Sequence, residues 1–278
     1  MILFEAEKYF IDQLIKAGVE TPHLDIGVII SYVLNIERYR LIIDKDRELS
    51  EIEMRLINKF VSKRIAGEPI AYIIGKKEFY SLDFKVNKHV IIPRPETELL
   101  VDLGIYYSKR GGKGLDLGTG SGAIAIALKK NRNDMMILAS DISEKALKVA
   151  KNNAHLILKN DSIKFFQGDL FDPFCDTKFD IIISNPPYID VEDKDSIQRE
   201  ITFEPEIALF CNDHGKAIIK RIINDAREYL NVDGIMLIEI GSNMKNFIQE
   251  LGNENNYNVS ILNDYSSIPR VVVLKRKD

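Results

Sequence analysis

The chain has 278 residues, 45% of them hydrophobic, and a formal net charge of -4, which suits two domains with substantial cores. Its pI near 5.7 gives no overall attraction to nucleic-acid phosphates. Two cysteines, four histidines and the lack of CxxC or HExxH patterns argue against a disulfide framework or a structural metal site. Because no signal-peptide pattern or membrane-length apolar run occurs, we expect a cytoplasmic protein without membrane contact.

Residues 1–75 carry the periodicity of a small helical bundle. Apolar residues at helical spacing predict helices over 2–16 and 22–34, with further helical turns near 39–43. Ser50 and Glu53 form a capping box that opens a helix ending near Ala66. Its inward face is predicted to carry Ile52, Leu56, Phe60 or Val61, and Ile65.

Residues 76–95 have the pattern of a hairpin or linker between domains. Two short strands are predicted at 78–86 and 89–92, around Asn87. The prolines on either side of Arg94 hold it on an extended, exposed segment, and Thr97 is expected to cap a helix over 98–109. A capped linker with a merely solvated arginine is an equally good interpretation of this segment.

Strands alternate with helices in the third predicted domain, residues 96–278. The predicted strands lie at 114–117, 135–140, 162–167, 179–184, 234–240, 257–262 and 271–274, and the predicted helices at 123–130, 144–155, 216–230 and 243–251. Such alternation predicts an α/β domain with a doubly wound, mainly parallel sheet.

The segment Asn185-Pro186-Pro187-Tyr188 directly follows the apolar strand 179–184. Its two prolines lack N–H groups and restrict φ, so they end the strand in a stiff loop. Ligands of open parallel sheets bind at the carboxyl ends of the strands, which makes this loop a candidate site. On this stretch alone, simple termination of the strand explains the prolines equally well.

A glycine-rich loop lies between the first strand of this domain and its helix: Gly118, Thr119, Gly120, Ser121 and Gly122. Glycines there allow backbone N–H groups to approach a ligand closely. The G-x-G-x-G spacing departs from the dinucleotide-binding pattern, and the Gly-Lys-Ser/Thr of a P-loop is missing. The loop therefore predicts a ligand site that is not built around phosphates.

Two carboxylates follow the next two strands. Asp141 is suited to accept hydrogen bonds from a ribose diol, and Asp169 lies at the equivalent position one strand later. Polar groups at successive strand ends converge on one crevice, so a nucleoside ligand without phosphates is the economical interpretation.

These motifs resemble the class I S-adenosylmethionine-dependent methyltransferases. The resemblance rests on LDLGTGSGAIAI at 115–126, Asp141, GDLF at 168–171 and NPPYI at 185–189. More narrowly, the helical domain with PRPETE at 93–98, FEPEIAL at 203–209 and LIEIG at 237–241 resembles the HemK-type N5-glutamine methyltransferases of peptide chain release factors. This resemblance implies a seven-stranded Rossmann-like sheet with a small N-terminal all-α domain.

The resemblance also implies roles for individual residues. Gly118, Thr119, Gly120, Ser121 and Gly122 would line the methionine and ribose part of S-adenosylmethionine, which leaves as S-adenosylhomocysteine; Asp141 would bind the ribose, and Asp169 and Leu170 would border the adenine. Asn185 would contact both cofactor and acceptor, and Arg94, Glu96 and Glu204 would border or support the acceptor site. The loop 211–216 departs from the glycine-rich family pattern.

The chemistry of a carboxamide acceptor suggests a mechanism. Its nitrogen is a poor nucleophile, so orientation is the larger contribution. The Asn185 side-chain oxygen and the Pro186 carbonyl oxygen are predicted to accept hydrogen bonds from its two N–H groups. Tyr188 is predicted to line one side of the acceptor site, and Pro187 to stiffen the loop. No strong general base is required.

The leading hypothesis is an enzyme that methylates the glutamine of the Gly-Gly-Gln loop in a class 1 release factor, gripped by the helical domain. Glutamine methylation of a ribosomal protein shares the same loop chemistry. Methylation of an exocyclic amine in nucleic acid would require base flipping and phosphate binding, and the acidic balance opposes it. A non-catalytic binding protein is the third class. We expect a monomer without stable nucleic-acid binding.

Overall fold

A computed structural model describes residues 1–160 and 162–277, so position 161 and the last residue of the predicted third domain lie outside the described residues. The chain divides into two compact units, Met1–Lys76 with Gln198–Phe203, and Lys77–Ile197 with Glu204–Asp278. In the described part, every helix is too short or too polar to cross a membrane.

The first unit is helical. Its helices are α1 (Leu3–Lys16), α2 (Pro22–Leu34), α3 (Arg40–Ile43), α4 (Glu51–Ile65) and α5 (Ile70–Ile74). Phe10 of α1, Ile26 and Ile30 of α2 and Val61 of α4 meet in a buried apolar core. Ser50 accepts a hydrogen bond from the Glu53 N–H and Glu53 bonds back to the Ser50 N–H, so the predicted capping box is present.

The buried face of α4 differs from the predicted one. Ile52 and Leu56 are 65% and 39% exposed, whereas Ile57, Val61 and Arg64 are buried. Arg64 donates through Nε to Asp25 Oδ2 at 2.6 Å and through Nη2 to Glu200 Oε1 at 2.7 Å. Val61 is buried as predicted, and Phe60 and Ile65 pack against the same core. The prediction is wrong at Ile52 and Leu56 and leaves out Arg64, because it considers apolar residues alone. The contact of Arg64 with Glu200 explains why 198–203 groups with the helical unit.

The second unit contains a β-hairpin and a large sheet with helices. The hairpin strands are β1 (Lys76–Phe79) and β2 (Leu82–Lys85), and the later strands are β3 (Lys113–Leu117), β4 (Met136–Asp141), β5 (Ile163–Gln167), β6 (Phe179–Ser184), β7 (Ile189–Asp190), β8 (Phe210–Cys211), β9 (Leu230–Glu239), β10 (Tyr257–Asn263) and β11 (Pro269–Arg276). The helices are α6 (Glu98–Tyr107), α7 (Ala123–Asn131), α8 (Glu144–Leu158), α9 (Glu206–Leu209), α10 (Ala217–Ala226) and α11 (Lys245–Glu254).

The hairpin turns earlier than predicted. Tyr80 and Ser81 connect β1 to β2 with φ values of 52° and 57°, the backbone signs of a two-residue hairpin turn whose twist matches the strands. Asn, Asp or Gly usually occupy such turns, so the residue types at Tyr80 and Ser81 do not predict one. The predicted strand at 89–92 is absent from the described structure; this segment is turn and irregular backbone.

The large sheet has seven strands in the order β10-β11-β9-β6-β3-β4-β5. The pairs β5/β4, β4/β3, β3/β6 and β6/β9 are parallel, and β11 pairs antiparallel with both β9 and β10. This confirms the predicted α/β class and the doubly wound, mainly parallel sheet of seven strands.

Apolar residues cover both faces of the sheet. On β6, Ile181 and Ile183 belong to the core on one side and Ile182 to the core on the other, as the alternation of side chains along a strand requires. Strands buried on both faces read as continuous apolar runs.

The order of the strands changes direction at β3. The chain continues from β3 to β4 and β5 on one side, and β6 pairs with β3 on the other side. The carboxyl ends of β3 and β6 therefore flank the switch point where open α/β sheets bind ligands.

Candidate functional site

The glycine loop after β3 is held against the end of β4. The N–H groups of Gly118 and Thr119 both donate to the Ser140 carbonyl oxygen at 2.9 Å. Gly118 and Gly120 have φ values of 75° and 56°, a region that glycine tolerates best. A Cβ on Gly118 would meet no atom within 4 Å. The loop therefore leaves open space in front of its backbone, as a cradle for a ligand would.

Asp116 braces this loop from inside the protein. Its Oδ2 accepts hydrogen bonds from Thr119 Oγ1 at 2.6 Å and from the Ala125 N–H at 3.1 Å. Its Oδ1 is buried and has no hydrogen-bond partner among the described residues. Burial raises the pKa of the Asp116 carboxyl from 3.8 to about 6, against the effect of both hydrogen bonds.

Asp116→Asn is expected to flatten the pH dependence of stability. The native carboxyl binds its proton more tightly than the unfolded one, so the free energy of unfolding falls as pH rises from about 4 to about 6. Two pKa units correspond to about 3 kcal/mol. This is the upper limit for the pH-dependent change in the free energy of unfolding that Asp116→Asn removes. Urea unfolding at pH values below and above this window measures it, with the exposed Asp12→Asn as control. An unchanged pH dependence in the Asp116 variant would contradict the assignment.

Asp141 closes the other side of the loop. Its Oδ2 accepts from the Gly120 N–H at 2.8 Å and its Oδ1 from the Ser143 N–H at 2.9 Å. Each carboxylate oxygen can accept more than one hydrogen bond, so both retain acceptor capacity. Burial raises the pKa of Asp141, and the two backbone N–H groups oppose that rise. The loop is thus tied to a carboxylate that faces the cavity.

A cavity of about 240 Å³ lies over the carboxyl ends of β3, β4, β5 and β6. Gly118, Gly120, Asp141, Asp169 and Asn185 line it, together with Leu117, Ser140, Gly168, Leu170, Ser184, Pro186, Pro187, Arg221 and an apolar group formed by Ile91, Ile142, Ile207, Ala208, Ile218 and Ile222. Of the predicted loop residues, Thr119 and Ser121 are buried and outside this lining. Gly122 is also outside it, and a Cβ there would meet Ile126 and Ala150.

Two carboxylates and one guanidinium are the charged groups that line this cavity within the described part of the chain. Arg221 donates through Nη2 to Asp169 Oδ2 at 2.7 Å, and both side chains are partly exposed at the mouth. Leu170 has a φ of 47°, an uncommon conformation for a leucine. The balance of charge favours a ligand that carries positive charge over one that carries phosphates.

The Asn185–Tyr188 segment is connected to a buried carboxylate on β9. Asn185 Nδ2 donates to Thr97 Oγ1 at 3.2 Å, and Thr97 Oγ1 donates to Glu239 Oε2 at 2.7 Å. Tyr188 donates its hydroxyl proton to Glu239 Oε1 at 3.3 Å. Glu239 is fully buried. Tyr188 therefore contacts Glu239 directly, and Asn185 is linked to it through Thr97. Thr97 makes this contact instead of the predicted helix cap, since its side chain makes no capping hydrogen bond.

The environment of Glu239 makes its carboxyl unusually basic. Burial raises its pKa from 4.5 to about 7, the Thr97 hydrogen bond and Arg270 oppose the rise, and Glu96 adds to it. Burial and the charge of Glu239 also raise the pKa of Tyr188, whose phenol therefore stays protonated.

Asn185 Oδ1 and the carbonyl oxygen of Pro186 accept no hydrogen bond from any described residue. Both residues line the cavity. The predicted pair of acceptors is thus available at the cavity wall. Tyr188 lines a second, polar cavity of about 530 Å³ together with Asp190, His214 and Arg270.

Arg94 and Glu204 form an ion pair beside the site. Arg94 Nη2 bonds to Glu204 Oε1, and Glu204 Oε2 accepts from the Ile92 N–H at 2.9 Å. Glu204 is buried, while 29% of the Arg94 side chain is exposed. Glu204 therefore fixes the backbone before the PRPETE segment.

The loop 211–216 supports the backbone of the Asn185–Tyr188 segment. Cys211 Sγ lies 3.3 Å from the Pro187 carbonyl oxygen, as a thiol donor would, and β7 pairs with β8 through Ile189 and Phe210. Gly215 has a φ of 76°, and a Cβ there would lie 2.2 Å from the Tyr188 carbonyl oxygen. Gly215 is the one glycine of the loop 211–216, and the close approach to Tyr188 requires it.

Gly215→Ala is expected to destabilise the protein more than Gly111→Ala. Both glycines have a positive φ, but a Cβ on Gly111 meets nothing within 4 Å. The two variants therefore share the backbone strain, and Gly215 adds an overlap with Tyr188. Overlaps of this kind cost about 1–3 kcal/mol, which is the expected difference in the free energy of unfolding. Equal losses of unfolding free energy in the two variants, measured with urea, would show that Gly215 does not closely approach Tyr188.

Thr97, Glu239 and Arg221 belong to the site, although the sequence motifs do not predict them. Glu239 lies in the LIEIG segment of β9 at a strand end, which is the signal that marked Asp141 and Asp169. Thr97 and Arg221 had no such signal, because each reaches the site from a helix or turn.

Two family models match the chain. The Methyltransferase small domain matches residues 96–209, and the PrmC N-terminal domain matches residues 5–75. The release factor glutamine methyltransferase of Aliivibrio fischeri is 36% identical, and the match covers 96% of this chain and 94% of the relative.

A longer relative and a solved structure add to this likeness. The bifunctional methyltransferase of Rickettsia felis is 36% identical over 94% of this chain, but the match covers 56% of the relative, so the chain spans about half the length of that protein. The structure of the hMettl16 catalytic domain in complex with MAT2A 3'UTR hairpin 1 has a TM-score of 0.61 at 14% identity, over 90% of this chain and 92% of that one. At this identity it shows a shared methyltransferase fold.

Proposed function

The chain belongs to the family of release factor glutamine methyltransferases, and on that premise we propose that it transfers a methyl group from S-adenosylmethionine to the side-chain nitrogen of a glutamine. The proposed acceptor is the glutamine of the Gly-Gly-Gln loop in a class 1 peptide chain release factor. The observation that carries the proposal is the pair of free oxygens on Asn185 and Pro186 at the wall of the strand-end cavity.

The cavity suits S-adenosylmethionine. Gly118 and Gly120 leave space in front of the loop backbone, and Asp141 retains acceptor capacity for two ribose hydroxyls. Asp169 and Leu170 would border the adenine beside the apolar wall. When bound, the cofactor would supply an electrophilic methyl group on a positively charged sulfur. The lining carries two carboxylates and one guanidinium, which pairs with Asp169, so its net negative charge suits that ligand.

The acceptor nitrogen requires orientation more than activation. Its lone pair is delocalised into the carbonyl, so Asn185 Oδ1 and the Pro186 carbonyl oxygen would each accept one of its N–H groups. Each such bond contributes about 0.5–1.5 kcal/mol net, whereas fixing the geometry lowers barriers by about 7–11 kcal/mol in favourable cases. After methylation the nitrogen is cationic and strongly acidic and loses its proton to water, so the chain needs no strong base.

The helical unit is the proposed grip for the protein substrate. It exposes Tyr39, Ile42 and Ile43 side by side at α3, each more than half exposed, and we take this apolar stretch as the proposed contact with the protein substrate. A release factor takes part in translation, so the cytoplasmic location expected from the sequence goes with this proposal.

A transfer assay tests the function. The purified chain is incubated with methyl-labelled S-adenosylmethionine and a purified class 1 release factor, alongside the same factor with its Gly-Gly-Gln glutamine replaced by glutamate. The proposal predicts label in the first factor only. Label in neither, with a related methyltransferase labelling the first, would overturn it.

A further inference from the structure

The carboxylate of Glu239 is an acceptor for two hydroxyl groups. Thr97 Oγ1 lies 2.7 Å from Oε2, and the Tyr188 hydroxyl lies 3.3 Å from Oε1. Above a pH of about 7 the Glu239 carboxyl is ionised and has no proton to donate, so both hydroxyls must donate to it. The single proton of the Thr97 hydroxyl is therefore committed to Glu239.

This commitment determines the identity of the Asn185 atom that faces Thr97. The Thr97 oxygen has no second proton, so it can only accept a hydrogen bond from Asn185. The group 3.2 Å away must then be the amide NH₂, since oxygen and nitrogen of an amide are distinguished by their partners. The amide oxygen is left on the other side of the group, where no described residue donates to it.

We propose that Thr97 and Glu239 are positioning residues that hold the Asn185 amide with its oxygen towards the acceptor nitrogen. This inference rests on the function proposed above, in which that oxygen accepts an N–H of the substrate glutamine. In the reverse orientation, the NH₂ group of Asn185 would face the acceptor NH₂ group, donor against donor. The two residues thus act on the reaction through Asn185.

An isosteric replacement of Thr97 removes the preferred orientation of the Asn185 amide and leaves the packed volume nearly unchanged. Thr97 is buried, and valine has nearly the same shape but offers Asn185 no acceptor. Thr97→Val removes one neutral hydrogen bond, which is what favours this orientation of the Asn185 amide. We therefore expect the variant to lower the rate of methyl transfer about tenfold. Thr97→Ser keeps the hydroxyl and should recover most of that rate. Glu239→Gln can donate to Thr97 and so permits the reverse orientation, with a similar loss expected.

The experiment compares these three variants with wild type and with Thr177→Val, a threonine away from the site. It measures the rate of transfer to the release factor, the dissociation constant of S-adenosylmethionine, and the side-chain NH₂ resonances of Asn185 in ¹⁵N-labelled protein. A pH of about 8.5 keeps Glu239 ionised, since its pKa is raised to about 7. The Asn185 signals are assigned by their loss in Asn185→Asp.

The expected result is a slower transfer in Thr97→Val and Glu239→Gln, unchanged cofactor affinity, and shifted Asn185 NH₂ signals in both. Full transfer rates together with unmoved signals would overturn the inference. If wild type labels no release factor, the proposed function fails, and the resonances alone then decide the orientation: signals that move with Thr97→Val but not with Thr97→Ser support it, and signals that ignore both variants overturn it.

Discussion

Replacing Asn185 with alanine is expected to lower the rate of methyl transfer by about 100- to 1000-fold, the loss typical of removing one preorganised group at a reacting centre. Asn185 offers the acceptor nitrogen a side-chain oxygen that no described residue occupies. Without it, the nitrogen keeps one acceptor at most, and its alignment with the methyl group is lost. The effect falls on the chemical step, so the dissociation constant of S-adenosylmethionine should change less than about tenfold.

Single-turnover measurements with release factor in excess separate the two quantities. Asn253→Ala is the matched control, because Asn253 is an exposed asparagine on α11. An Asn185 variant that retains the wild-type rate would remove the amide from the mechanism. A loss confined to cofactor affinity would assign Asn185 to cofactor binding instead.

Asp141→Asn is expected to weaken the binding of S-adenosylmethionine by about 100-fold. Hydrogen bonds to a charged acceptor contribute about 1.5–3 kcal/mol each, and the proposal gives Asp141 two ribose hydroxyls. The variant also places an NH₂ group against the N–H of either Gly120 or Ser143, both of which donate to the carboxylate. Two donors facing each other loosen the glycine loop as well.

Titration calorimetry measures this affinity directly. Asp176→Asn is the matched control, since Asp176 is exposed and has a φ of 58°, a conformation that asparagine also adopts readily. If the Asp141 variant binds as tightly as wild type, the ribose is bound elsewhere in the cavity.

Local signals predicted the parts of the fold that local chemistry determines. Strand β6 has the predicted bounds, 179–184, and the prolines that follow it explain why it ends there. The family and the seven-stranded sheet expected from the motifs are confirmed by the relatives and the topology. The roles assigned to Asp169, Leu170 and Arg94, and the domain limits at 75 and 95, stay predictions.

Contacts between distant residues escaped the sequence. Thr97 and Glu239 are 142 positions apart, and no periodicity connects them, so the neighbours of Thr97 predict only a helix cap. The buried position of Arg64 on α4 has the same origin. Its partners Asp25 and Glu200 lie far along the chain, and they reverse the usual expectation that arginine is exposed.

The most direct test is labelling of a lysate from cells that lack this protein. The purified chain is added with radioactive S-adenosylmethionine, the labelled species is mapped by mass spectrometry, and the Asn185→Ala variant is run in parallel. We predict one labelled glutamine, in a class 1 release factor, and no label with the variant. Label in a ribosomal protein or in nucleic acid would contradict the proposed substrate, and label that persists with the variant would contradict the proposed site.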